Sequence, residues 1–87
     1  FEALIHPEDR PRVRETIRAH LDAGAPFQVT YRLRRADGRE RWVWEHGREV
    51  PAASGAAGAR VLEGLIVDVT DREEARLALE AERARLE

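Results

Sequence analysis

The sequence predicts an α+β domain: one helix, a three-stranded antiparallel sheet, and a second helix leaving the last strand. Three observations carry this. Apolar residues recur every fourth position over 10–23 and then switch to every second position over 27–35. An Asp37-Gly38 pair, a strong short-range hairpin signal, separates that alternating stretch from another beginning near Glu40. Thr70-Asp71-Arg72-Glu73 then follows a third strand-like run with the pattern of a helix start.

The elements follow in order. His6-Pro7 interrupts the opening Phe1-Glu2-Ala3-Leu4-Ile5, because a residue before proline is pushed out of helical geometry. A helix is expected from about Arg10 to Ala23, with Asp9 as its N-cap, Pro11 in the first turn and Gly24 as the stop. Val13, Ile17 and Leu21 give it one narrow apolar stripe. In the first strand Phe27, Val29, Tyr31 and Leu33 share one face, and Gln28, Thr30, Arg32 and Arg34 share the other. The return strand runs from about Glu40 to Val50. A two-residue turn at Asp37-Gly38 pairs Ala36 with Arg39, sets Leu33 opposite Trp42 and Tyr31 opposite Trp44, and brings both tryptophans to the apolar face. A one-residue bulge would turn them outward.

Pro51 to Ala59 is Ala, Gly, Ser and Pro without periodicity and reads as a flexible loop. In the third strand, Val61 to Val69, residues Val61, Leu65, Val67 and Val69 face one way and Leu62 and Ile66 the other. Both faces are apolar, so this strand is expected to be covered on both sides. In the final helix the Thr70 hydroxyl is expected to cap the Glu73 N–H, with Glu73 reaching back. Leu79 and Leu86 lie one heptad apart, with Ala75 and Glu82 completing the seam, while Leu77, Ala81 and Ala84 form a second stripe. No stop signal closes the helix, which is expected to continue past Glu87.

Composition excludes more than it assigns. The 87 residues suit one small domain, 43% hydrophobic and 37% charged. No Cys is present, so a disulfide scaffold, a thiolate metal site and a Cys nucleophile are all ruled out. A net charge of −2 gives no global pull toward nucleic acid or acidic lipid. No apolar run is long enough to span a membrane and no signal peptide opens the chain, so a cytoplasmic segment is expected. The absence of Met suggests a fragment, and an all-Arg basic complement with abundant Ala suggests GC-rich coding DNA. His6, His20 and His46 lack metal-ligand spacing, and no Ser/His/Asp set or convergent carboxylate pair suggests catalysis. The GAAG segment at 55–58 precedes a strand rather than a helix, so it is not a phosphate cradle.

Four pieces, in this order and spacing, resemble the C-terminal PAC segment of a PAS domain. They are His6-Pro7-Glu8-Asp9-Arg10; Tyr31-Arg32-Leu33-Arg34-Arg35 with Asp37-Gly38 and Arg41-Trp42-Val43; Gly64; and Asp68-Val69-Thr70-Asp71-Arg72. The resemblance implies a truncated PAS-like fold over 1–70 and the start of a helical signalling linker over 71–87. It also implies a non-catalytic sensory and relay module of a multidomain bacterial two-component or cyclase protein, with a sensor histidine kinase as the leading parent. The alternative is a small-molecule or cofactor-binding sensor domain regulating a diguanylate cyclase. In that family the last strand pairs with the first strand of the domain, which this chain lacks. Its free edge is therefore expected to pair with another chain.

Site expectations follow from residues and resemblance together. The relay junction is Asp68, Thr70, Asp71, Arg72 and Glu73, with Asp68 in an ion pair at the sheet end and Thr70 anchoring the helix start. Tyr31, Leu33, Trp42 and Trp44 are the candidate ligand-facing sheet residues. Arg32, Arg34 and Arg41 fall on the polar face, with Arg34 opposite Arg41, so a nearby anion is expected: Glu63, Asp68, a Glu of the final helix, or a ligand carboxylate. A nucleic-acid surface would want exposed aromatics beside those arginines, and this register sets the tryptophans on the opposite face. No cofactor is assigned to this segment. Some haem-binding relatives place an axial His on the last core helix, where His20 stands, and the flavin-adduct relatives need a Cys that is absent here. A homodimer is expected through the last strand edge and a Leu79–Leu86 seam, with no metal, nucleic-acid or membrane contact.

Overall fold

The computed structural model describes residues 4–51 and 60–86. Its elements are α1 (Arg10–Asp22), β1 (Phe27–Arg34), β2 (Glu40–Val50), β3 (Val61–Asp68) and α2 (Thr70–Leu86). The strands form one antiparallel sheet in the order β1-β2-β3. The loop expected over Pro51 to Ala59 lies almost wholly outside the described residues.

Helix α1 ends in a Schellman motif. Gly24 takes a positive φ of 71°, its N–H donates to the Leu21 carbonyl at 3.0 Å, and the Ala25 N–H donates to the His20 carbonyl at 2.9 Å. The helix start departs from expectation. Asp9 occupies the N-cap position but has helical backbone angles and makes no side-chain cap bond. Its carboxylate is taken instead by Arg32, as described below.

Val13 and Leu21 face β1, with Ile17 partly buried between them. With Ile5, Phe27, Val29, Tyr31 and Val43 they make the core, and Phe27 and Tyr31 are its largest fully buried side chains. Burying a side chain of that size contributes about 1.5–3 kcal/mol. Upstream of α1, Ile5 bridges to Leu33 and the His6 N–H donates to the Arg32 carbonyl at 2.9 Å, lining the outer edge of β1.

The hairpin register differs from the expected one by a single residue. Tyr31 lies opposite Val43, Thr30 opposite Trp44, Arg32 opposite Trp42 and Leu33 opposite Arg41. The turn explains the shift. The Arg35 N–H donates to the Arg39 carbonyl at 2.8 Å and the Gly38 N–H to the Arg35 carbonyl at 3.0 Å. Gly38 has φ 84°. The loop is therefore Ala36-Asp37-Gly38, three residues with a left-handed glycine last, not the two-residue turn that an Asp-Gly pair first suggests. The tryptophans consequently point away from α1, onto the face expected to be purely polar. Arg34 stands opposite Glu40, which removes the expected clash with Arg41.

Two glycines permit close packing on the α1 side of the sheet. Gly47 lies opposite both Phe27 and Gly64. A Cβ on Gly47 would come within 2.5 Å of the Phe27 ring, and one on Gly64 would collide with the His46 carbonyl. The tip of the Phe27 ring thus lies against the bare backbone of Gly47.

Strand β3 is exposed along its whole length, with Leu62, Leu65 and Ile66 each about half accessible. Only Thr70 and Glu73 of α2 are buried, so the helix projects from the sheet. The radius of gyration is 16.0 Å, against roughly 12 Å for a compact chain of this length. Leu79 and Leu86 are 53% and 77% exposed.

Candidate signal-relay junction

Two adjacent residues of β2 hold the point where sheet becomes helix. Arg41 Nε donates to Asp68 Oδ2 at 2.8 Å. The Trp42 N–H donates to the Thr70 hydroxyl oxygen at 3.0 Å, and the Trp42 carbonyl accepts the Val69 N–H at 2.9 Å. Asp68 also accepts the Thr70 N–H on Oδ1 at 2.9 Å, closing a small ring around the first residue of α2. Thr70 is only 3% exposed. Its oxygen has thereby left the role that the local pattern suggests. The Glu73 N–H donates to the Val69 carbonyl at 2.9 Å, and the Glu73 carboxylate turns forward to Arg76 rather than back to the helix start. Arg76 goes on to Glu80 at 2.6 Å.

The electrostatics agree with the geometry. The Arg41 guanidinium, followed by the Thr70 hydrogen bonds, holds the Asp68 carboxyl well below the usual carboxylate range. Asp68 in turn raises Arg41, with smaller contributions from Asp71 and Glu74. Both side chains are substantially exposed, at 39% for Arg41 and 49% for Asp68, so solvent screens the pair. It holds the last β3 residue against β2 at the place where α2 departs.

A second polar node lies at the other sheet edge. Asp9 accepts from Arg32 Nη2 at 2.7 Å, Arg32 Nε at 3.0 Å and the Arg32 N–H at 2.9 Å. The Arg32 bonds lower the Asp9 pKa against the opposing effect of burial, and Asp9 raises that of Arg32. Glu8 adds a longer contact to Arg32 at 3.4 Å. The Arg32 guanidinium carbon lies 5.6 Å from the Trp42 ring centre. This clamp ties the start of α1 to β1 and, through Trp42, to the residue that binds Thr70. Sequence reading missed it because Asp9 and Arg32 have no local pattern linking them.

The sequence-derived candidates therefore divide by face. Arg41 and Asp68 meet as an ion pair, and Arg32 finds its anion in Asp9. Glu63 is met by Arg48 at 2.5 Å. Tyr31 and Leu33 lie on the α1 side, while Trp42 and Trp44 lie on the other, so the four do not line one surface. Fully buried Tyr31 donates its hydroxyl to Glu45 Oε1 at 2.6 Å, and burial followed by the Glu45 carboxylate pushes its phenol upward. Glu45 was not anticipated; it is the acidic residue on an otherwise apolar stretch of that face. Asp71 and Arg72 are exposed at the start of α2. Among the described residues no group of His, Asp and Glu could hold a metal ion, and no helix is long and apolar enough to cross a membrane.

A helix lying beside an antiparallel hairpin, followed by a strand running straight into a projecting helix, matches known sensory domains. The family model described as PAS fold matches residues 1–58, and the chain belongs to the PAS family. PAS domains are sensory modules of signalling proteins and are generally non-catalytic. A sensory box histidine kinase/response regulator from Burkholderia thailandensis E264 superposes with a TM-score of 0.79 and 37% identity, over 94% of this chain and 61% of that one. An RNA-binding light-oxygen-voltage receptor shares the fold, with a TM-score of 0.60 and 24% identity over 95% of this chain and 21% of the receptor. The uncharacterized protein y4lL of Sinorhizobium fredii (strain NBRC 101917 / NGR234) is 34% identical over 71 residues, which is 82% of this chain but 8% of that protein.

Proposed function

We propose that this chain is the relay segment of a sensor histidine kinase, passing strain from the sheet to α2 through Arg41, Trp42, Asp68 and Thr70. One observation carries the reading: Arg41 and Trp42, neighbours on the middle strand, bind Asp68 and Thr70 on either side of the strand–helix boundary. A shift or twist of β2 therefore moves both, and α2 pivots on a buried threonine. The likeness to the Burkholderia thailandensis kinase structure favours a kinase parent. The chain acts in the cytoplasm as a homodimer joined through β3 and the Leu79–Leu86 seam. The exposure of β3 on both faces and of both leucines supports that assembly.

The test is output activity of the full-length protein carrying Asp68→Ala or Thr70→Ala. A changed basal or signal-dependent output is expected in protein that remains folded by circular dichroism. Unchanged output in folded protein would sink the relay.

A second reading, a ligand-binding sensor domain regulating a diguanylate cyclase, draws on a specific cavity. About 380 Å³ lies between α1 and the sheet, with apolar Ile5, Val13, Ile17, Leu21 and Leu62 and with Glu45 and four arginines, Arg10, Arg14, Arg18 and Arg60, around it. It predicts a thermal shift with metabolites. A domain indifferent to a broad panel would exclude it.

A further inference from the structure

Arg32 and Trp42 stand opposite each other on β1 and β2, yet their backbones are turned apart. The Trp42 N–H and carbonyl are both engaged on the α2 side, by the Thr70 hydroxyl at 3.0 Å and the Val69 N–H at 2.9 Å. The Arg32 N–H and carbonyl are both engaged at the outer edge, by the Asp9 carboxylate and the His6 N–H, each at 2.9 Å. This is the non-hydrogen-bonded kind of antiparallel pair, in which Cα atoms come closest and the side chains make the contact. Here that contact is the Arg32 guanidinium over the Trp42 ring, 5.6 Å from its centre.

Asp9 sets where the guanidinium lies. Only 7% exposed, it takes Arg32 Nε at 3.0 Å on one oxygen and Nη2 at 2.7 Å on the other, a forked grip that fixes both the place and the plane of the cation. The Asp9 carbonyl in turn accepts the Val13 N–H at 2.9 Å. Val13 lines the cavity between α1 and the sheet, so a displacement of the helix there reaches Asp9 directly. One row of contacts therefore crosses two strands, from the start of α1 through Arg32 and Trp42 to the first residue of α2.

We propose that Arg32 is a positioning residue of the relay, carrying movement at the start of α1 through the Trp42 ring to the Thr70 anchor of α2. This rests on the relay reading above and gives that relay an input at the opposite edge of the sheet. The ring contact limits the strength of the coupling. A cation–π contact at a partly exposed site corresponds to about a two- to fivefold change in an equilibrium constant, so releasing the grip of Asp9 alters α2 by about that much.

Hydrogen exchange of the full-length protein, read by mass spectrometry, measures the coupling. Exchange over 68–76 is taken relative to the far end of the hairpin, 27–29 and 45–47, so that a general loss of stability cancels. Asp9→Asn should speed exchange over 68–76 by about two- to fivefold on that scale and shift the output in the same direction as Thr70→Ala. Arg34→Gln, two residues along the same face and opposite Glu40, should do neither. In a Trp42→Leu background, where no ring is left, Asp9→Asn should add nothing; in Trp42→Phe, which keeps one, it should still act. Should Trp42→Leu fail to fold, Arg32→Gln removes the cation instead and should silence Asp9→Asn in the same way. If Asp9→Asn leaves the relative exchange of 68–76 unchanged, or acts as strongly without the ring, the role of Arg32 is overturned and the relay through Arg41 and Asp68 stands. If exchange responds as expected but neither Asp9→Asn nor Thr70→Ala moves the output, the relay reading falls, and the role of Arg32 falls with it.

Discussion

Replacing Thr70 by valine removes one hydroxyl and keeps the branching and nearly the volume of the side chain. Thr70 is 3% exposed, and its oxygen accepts the Trp42 N–H at 3.0 Å. The hydroxyl also donates to the Trp42 carbonyl at 3.4 Å, but that carbonyl keeps its bond from Val69, so the main loss falls on the Trp42 N–H. An unpaired donor in such a site costs about 1–3 kcal/mol. In a domain of this size each kcal/mol moves the melting temperature by about 4–8 °C, so Thr70→Val should melt at least several degrees lower. Thr70→Ser, which retains the oxygen, should recover most of the difference. Thermal and urea unfolding followed by circular dichroism measure both variants. If Thr70→Val melts within a degree of the parent chain, the hydroxyl is not the anchor of α2 and the junction as described is wrong.

Other expectations follow from the same geometry. Gly47→Ala places a methyl group against the Phe27 ring, 2.5 Å from its nearest carbon, and should destabilise by about 1–3 kcal/mol in urea unfolding. Asp9 is held below its ordinary value of 3.8 by Arg32, so its contribution to stability is complete above that pH and is lost as pH falls toward the folded-state value. Asp9→Asn should therefore lower stability at neutral pH and flatten the acid limb of the stability–pH curve. Because Arg41 and Asp68 are solvent-exposed, Asp68→Asn should alter output far more than melting temperature, and added salt should reduce the difference between variant and parent.

The elements themselves were legible because each has a local signal. The four-residue stripe of α1, the period-two run of β1 and the Asp37-Gly38 turn all lie within short windows. The register was not, for a reason visible at Gly38. A left-handed glycine closes a three-residue loop as well as it serves a two-residue one, so the dipeptide locates the hairpin without fixing its pairing. Burial did not arbitrate, because tryptophan packs well on either face and the true inner row of β2, Val43, Glu45 and Gly47, contains one clearly apolar residue. The error had a consequence: it set Trp42 and Trp44 beside Tyr31 and Leu33 on the inner, ligand-facing side of the sheet, whereas they lie on its other face. Thr70 shows a related failure. The Thr-x-x-Glu pattern is a valid capping signal, but the Trp42 N–H, distant in sequence, competes for the same oxygen. The ion pair between Arg41 and Asp68 was within reach, since Asp68 was already among the anions considered. The Asp9–Arg32 clamp was not, because only the fold brings those residues together.

A charge swap in the full-length protein tests the relay most directly. Arg41→Asp alone and Asp68→Arg alone each place like charges at the junction, and each should shift the signalling output. The double variant restores an opposite-charge pair across the same gap, though not the bond from the Thr70 N–H to residue 68, and should bring the output part of the way back toward that of the parent. Single variants that stay folded and signal normally, or a double variant no closer to the parent than either single, would contradict coupling through Arg41 and Asp68.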